Sequence, residues 1–241
     1  MSDNVPYLNR IFALQEHVIS RYIEQYAERY AFVSQCIDAL VFIDINEQKW
    51  KTIPVVHRTV FNYFHGDAVS TLVNAIRLCL QGCETDAYAL MRVVIENLTL
   101  FEYIIDFSLY NEFYSELFER ASKGKGFSKR FSYKNVVKEL KVNDRRKKLQ
   151  GHLSTLGSHI SPPRLAQSRF RINNTDHVKV GMALNNPRVK VSLGELASLA
   201  LFTVIVTDQF LIAATGDTIN KFHIRRRELE EEYSSLTSQN E

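Results

Sequence analysis

Apolar side chains recur at three- and four-residue intervals along most of this 241-residue chain, the spacing of amphipathic helices. Leu8–Arg29 and Ala31–Phe42 carry it first, and the run Ile43-Asp44-Ile45-Asn46-Glu47-Gln48 interrupts it. From Thr59 to Leu80 the positions Val60, Phe61, Phe64, Ala68, Leu72, Ala75, Ile76 and Cys79 keep one apolar face. Gly82 closes that helix, and Thr85 or Asp86 is placed to cap the next. Ala87–Phe107 is apolar around most of its circumference: Ala87, Leu90, Met91, Val94, Leu98, Phe101 and Ile105 make a wide face that Val93, Leu100 and Ile104 extend. A helix of this kind sits in the middle of a bundle. Arg92, Glu96, Thr99 and Tyr103 fall within about 60° of one another at about 100° per residue, one narrow polar stripe on a buried rod.

Further along, Asn111–Ala121 predicts a short helix, and a helical piece over Asp144–Ser158 must stop at Pro162-Pro163. Phe170-Arg171-Ile172 and Val178-Lys179-Val180 alternate around Asn173-Asn174-Thr175-Asp176, which predicts a small β-hairpin insert near residues 168–182 with a loop longer than two residues. Ser192 then caps an apolar helix over Leu193–Ala214, with Glu195 as the far half of a capping box. Gly216 ends it. Asp217 opens a last helix with a solvated end, and Ser234 to Glu241 frays. The fold class is therefore all-α, a helical bundle of about seven to nine helices in one domain. Its N-terminal helices (1–55) pack on a core bundle (56–216) that a C-terminal helix (217–236) completes.

Composition agrees with the pattern. With 45% hydrophobic and 24% charged residues the chain is not disordered, and nine Gly and five Pro are too few for a many-stranded sandwich. The apolar run Leu196–Thr215 is about long enough to cross a bilayer, but Asp208 and Gln209 interrupt it and no second such run accompanies it. A core helix is expected there, with no membrane partner. The N-terminal residues show no secretory or lipidation signal, and three cysteines (Cys36, Cys79, Cys83) suit a reducing compartment, so a cytoplasmic location is expected.

Charge is unevenly placed along the chain. Between Arg120 and Lys148 twelve basic residues meet only Glu139 and Asp144, giving +10, whereas the whole chain carries +3 and the remainder therefore −7. Lys129, Arg130, Lys134, Arg145, Lys147 and Lys148, with Phe127, Phe131 and Tyr133 interleaved, suit single-stranded nucleic acid by charge and stacking; a solvated basic face is the other reading. Within this segment lies Arg145-Arg146-Lys147-Lys148-Leu149-Gln150-Gly151-His152. Here an Arg that grips phosphate precedes a His that moves protons, the pair that metal-independent RNA cleavage needs.

Two further groups carry candidate chemistry. Arg92 and Glu96 form either an ordinary i,i+4 surface pair or a buried one needing more hydrogen bonds, which Thr99 and Tyr103 can supply. In Leu153-Ser154-Thr155-Leu156-Gly157-Ser158-His159-Ile160-Ser161-Pro162, the Thr155 hydroxyl and His159 imidazole share a helical face just before the helix must end. His159 is there an acid, base or phosphate ligand, or a capping residue. Phosphate loops, dinucleotide folds, serine-nucleophile elbows and H-E-x-x-H metal helices have no counterpart in the sequence, and no metal or cofactor is expected.

The order of an apolar helix bearing Met91-Arg92-Val93-Val94-Ile95-Glu96 and Tyr103, a Thr155-x-x-x-His159-x-x-Pro162 turn, a hairpin-like insert and a closing apolar helix resembles a group of bacterial helical domains of unknown function. The resemblance covers about Gly66 to Thr215. The same organisation is loosely similar to the HEPN superfamily, helical and often dimeric domains with many metal-independent ribonucleases of toxin–antitoxin and phage-defence systems. Their signature, an Arg and a polar residue followed after four to six residues by His, is matched by Arg146, Lys147 and His152. What the resemblance implies is an RNA-binding or RNA-cleaving protein, with Arg146 and His152 as phosphate clamp and proton carrier, a homodimer, and a cognate antitoxin or defence protein as partner. The alternative is a non-enzymatic module that takes a small ligand or protein partner through Arg92, Glu96, Tyr103 and His159.

Overall fold

The computed structural model describes residues 7–43, 47–120, 123, 127–157, 169–172, 175–178, 188–216 and 221–238. Among them are ten α-helices: α1 (Tyr7–Gln25), α2 (Ala27–Val41), α3 (Glu47–Thr52), α4 (Val55–Leu80), α5 (Glu84–Asp106), α6 (Tyr110–Ser115), α7 (Tyr133–Glu139), α8 (Asp144–Gly157), α9 (Arg188–Thr215) and α10 (Lys221–Ser238). The class is all-α. The short helices α3 and α7 lie in stretches too brief to show a period, which is why fewer helices were expected from the apolar pattern, whereas α6 falls on the short helix expected over Asn111–Ala121.

The central rod is α5, thirteen of whose 23 residues are buried. It packs against α4, α8 and α9, while α9 also touches α2, α4 and α10. Aromatic rings lock this crossing: Phe61 of α4 stacks on Phe210 of α9 at 4.4 Å, and Phe64 stacks on Phe101 of α5 at 5.0 Å. Phe113 of α6 closes the cluster 5.0 Å from Phe64. Over its most apolar stretch α9 is long and greasy enough to cross a membrane, but 67% of that stretch is buried inside the bundle.

Helix ends differ from the expected ones in instructive ways. Gly82 terminates α4 at φ 73° with the paired bonds Cys83 N–H to Leu78 O and Gly82 N–H to Cys79 O, a Schellman turn. Helix α5 then starts at Glu84 behind Cys83, with no side-chain cap from Thr85 or Asp86. The same turn ends α5 at Ser108 (φ 53°) and α7 at Lys141 (φ 51°), two side chains in a conformation that favours glycine. Helix α9 begins at Arg188, so Ser192 and Glu195 lie inside it and the capping box does not form. Short strands β1 (Arg169–Ile172) and β2 (Thr175–Val178) pair antiparallel with Phe170 opposite His177. Thr175 and Asp176, expected in the loop, belong to β2 instead.

Replacing Ser108 with Gly should raise stability by about 0.5–1 kcal/mol, because relief of left-handed strain exceeds the extra entropy of the unfolded glycine. Urea denaturation reads this directly, and an unchanged or lower midpoint would show that the Ser108 turn is unstrained.

Candidate functional site

The site is built where α8 lies between α5 and α9. Asn143 sets the start of α8: its side-chain oxygen accepts the Arg146 backbone N–H at 2.9 Å, an N-cap bond to the third helical residue. That phase turns Arg146, Gln150 and Ser154 toward the polar stripe of α5. Arg146 grips Glu102 through both terminal nitrogens and lies 4.2 Å over the Phe202 ring. One turn on, the Gln150 amide donates to Glu96 Oε1 at 2.7 Å and to the Ser154 hydroxyl at 3.0 Å, while Arg92 Nε reaches the same Glu96 oxygen at 2.9 Å. Helix α8 thus runs antiparallel to α5 and satisfies its charges in sequence.

Arg92 and Glu96 are consequently a paired, half-buried element, extended by Gln150 rather than by Thr99 and Tyr103. The Thr99 hydroxyl donates to the Ile95 carbonyl at 2.6 Å within its own helix. Tyr103 is buried, with its ring 4.9 Å from Phe107 and 6.4 Å from Phe131. The expected four-residue pocket is therefore divided, and its polar half belongs to the α5–α8 seam. Arg146, expected to hold phosphate, has its guanidinium committed to Glu102, with only 19% and 15% of the two side chains exposed.

His152 lies about 120° around α8 from Arg146 and meets a different helix. Its Nε2 is 3.3 Å from Glu195 Oε1 of α9, and its ring packs edge-on 6.0 Å from Tyr88 of α5. Half of the His152 side chain is exposed (50%) and little of Glu195 is (18%). Burial pushes the Glu195 carboxyl up to about 7, an effect the Tyr88 hydroxyl partly opposes. Glu195 Oε2 is buried with no hydrogen-bond partner among the described residues. Tyr88 in turn accepts the Ser192 hydroxyl at 2.9 Å, and its phenol is raised well above its ordinary range by burial and by the Glu195 charge. Three helices thereby converge on one titratable pair that faces solvent through the imidazole.

Lys148, Gly151, His152 and Thr155 are all exposed and share one face of α8. The Thr155 hydroxyl donates to the Gly151 carbonyl at 2.9 Å. Lys129, Arg130, Lys134 and Lys147 are exposed as well, the last 3.6 Å from Asp144. The side chain of Arg145 and the whole of His159 lie outside the described residues, so the expected Thr155–His159 face is described only at Thr155. Among the described residues, no three His, Cys, Asp or Glu side chains converge as ligands for a metal ion.

Glu195 and Tyr88 are residues of the candidate site whose part in it sequence reasoning missed. Tyr88 stands four residues before Arg92 and continues the polar stripe by one turn, a signal that was available. Glu195 had none, since its spacing from Ser192 mimics a cap. No protein-family model, curated protein or solved structure matches the chain, so the chemistry of the site rests on its own geometry.

Glu195 titrates at about 7 in the fold against an ordinary 4.5, so the folded chain holds this proton more tightly than the unfolded one. That contribution is fully present below about pH 4.5 and is lost as pH rises through about 7. The variant Glu195→Gln, which cannot ionise, should gain on the wild type across that window by up to roughly 3 kcal/mol, less whatever the contact with His152 returns. Urea midpoints from pH 5 to pH 8 measure the gain; a difference independent of pH would contradict the raised carboxyl.

Proposed function

We propose that this chain binds RNA along the exposed basic face of α7 and α8 and cleaves it without metal through the His152–Glu195 pair. A bacterial stress or phage-defence system is the setting its HEPN-like organisation suggests. One observation carries the reading: a half-exposed imidazole, held 3.3 Å from a buried carboxyl that titrates near neutrality, shares a helix face with Lys148 in the most basic part of the chain. When Glu195 is ionised it accepts Nε2–H and leaves Nδ1 a free base. When Glu195 is protonated it donates to Nε2, and Nδ1 carries the proton instead. Near neutral pH both forms of the carboxyl are populated, which suits a group that must take a proton and return it.

In that cycle Nδ1 removes the proton of a ribose 2′-hydroxyl, and the 2′-oxygen forms a bond to the adjacent phosphorus. The bond to the 5′-oxygen breaks, and the imidazolium gives its proton to that oxygen. The products are a 2′,3′-cyclic phosphate and a 5′-hydroxyl. Arg146, spent on Glu102, is a positioning residue for α8 in this scheme, and the phosphate contacts pass to Lys147 and Lys148. A small-ligand module at Arg92 and Glu96 is less well supported, because Gln150 already occupies the Glu96 oxygen.

Cleavage of unstructured RNA in EDTA should persist with the wild type and disappear with His152→Ala. Glu195→Gln should retain binding and lower the rate at least tenfold. Affinity should fall steeply with salt, and Lys147→Ala with Lys148→Ala should reduce the slope of log K against log salt by roughly 1.4. RNA binding that is absent at low salt, or insensitive to it, would overturn the reading.

A further inference from the structure

A cleft of about 310 Å³ opens between α5, α8 and α9. Its walls are mainly apolar, with Leu149 from α8, Leu199 and Ile205 from α9, and Ile95 from α5. Arg146 and Phe202 line it too, the guanidinium lying 4.2 Å over the ring. Two polar side chains complete the lining, Asn143 and Ser198. Asn143 spends its oxygen on the N-cap of α8, so its amide NH₂ remains a donor. The Ser198 hydroxyl makes no hydrogen bond among the described residues.

We propose that this cleft receives one nucleobase of the bound RNA, a deepening that rests on the RNA reading above. Size points that way first: the volume lies at the lower end of the range that encloses small organic ligands, enough for a single ring system and its sugar. Charge points the same way. Among the described residues the one cation in the lining, Arg146, is neutralised by Glu102, so the cleft suits a neutral occupant and leaves the phosphate outside on Lys148. Chemistry narrows it further, because apolar walls serve the faces of a flat ring while an amide NH₂ and a hydroxyl at its edge meet ring nitrogen and carbonyl acceptors. An aliphatic ligand would leave both polar groups unanswered.

Position supplies the link to the reaction. Leu149 precedes His152 by three residues on α8, and Ser198 follows Glu195 by three on α9, about 4.5 Å along each helix. Cleft and acid–base pair are therefore successive levels between the same two helices. A base seated in the cleft brings its own sugar and phosphate to the level of His152, and selects where the chain is cut.

The test combines two probes on the full chain. Adenosine, guanosine, cytidine and uridine at millimolar concentration are titrated by NMR, and oligoribonucleotides that differ at one base or lack it are compared for binding and cleavage. The variants are Ser198→Phe and the smaller Ser198→Leu, both filling the cleft, with folding verified by circular dichroism. Expected results are nucleoside binding lost in the variants, and a preference of at least tenfold for one base that falls to unity while salt-sensitive affinity for the backbone persists. RNA binding that is equal for all bases, equal for an abasic strand and unaffected by either variant would overturn the cleft proposal and leave the RNA reading standing. Nucleosides that bind in a chain with no affinity for RNA would overturn the RNA reading, and with it the cleft as a base site for bound RNA. Failure of both probes would remove both.

Discussion

Enclosing α5 on several sides imposes the condition that its covered carboxylates must be answered from a neighbour. A surface ion pair contributes about 0–1 kcal/mol, but a buried charge stripped of its partner costs about 3–5 kcal/mol. Glu96 and Glu102 stand between these limits, largely covered and each held by α8. The second helix is placed less by greasy contact than by this requirement: Arg146 and Gln150 meet the two carboxylates in turn, and Leu153 and Leu156 fill the space beneath. Asn143, by fixing where α8 starts, determines which of its side chains face inward.

The two acidic residues of α9 show what separates a structural carboxylate from a reactive one. Asp208 is buried, yet His223 Nδ1 lies 2.8 Å away and Arg226 Nε 3.0 Å away, both from α10. It holds two helices together. Glu195 faces an imidazole half in water and the Tyr88 hydroxyl, neither of them a guanidinium. Burial accordingly raises its carboxyl to about 7, whereas Asp208 has the Arg226 guanidinium beside it. The same helix thus carries a fastening at one end and a proton-handling group toward the other.

Much of the bundle was legible because its long helices keep their apolar period over many turns. Helices α4, α5 and α9 follow from Val60 to Cys79, Ala87 to Phe107 and Leu193 to Ala214 with boundary errors of a few residues. The short helices α3 and α7 were not legible, since α7 owes its shape to the ring cluster around Phe113 and Phe131 rather than to any local repeat. The site was half visible. Arg92, Glu96, Arg146 and His152 stand out by type and spacing, but partners are a tertiary matter. Nothing in one dimension tells that Arg146 reaches back to Glu102, or that His152 turns away from it toward Glu195. The stripe on α5 gave the right face and the wrong companions.

The place of α9 in the chain has a consequence for how the protein is made. It supplies Phe210 to the ring stack of α4, rests on α2, and through the Lys190 carbonyl receives Arg29 from more than 150 residues earlier. Synthesis therefore delivers the keystone late. Until α9 has left the ribosome, the flanks of Phe61 and Phe101 that Phe210 covers stay bare, an interval in which apolar surface is open to self-association. The long greasy segment that finally closes the bundle must do so before it finds a membrane or another nascent chain. Its buried Asp208 favours the outcome in which α10, following directly behind, brings His223 and Arg226 to it.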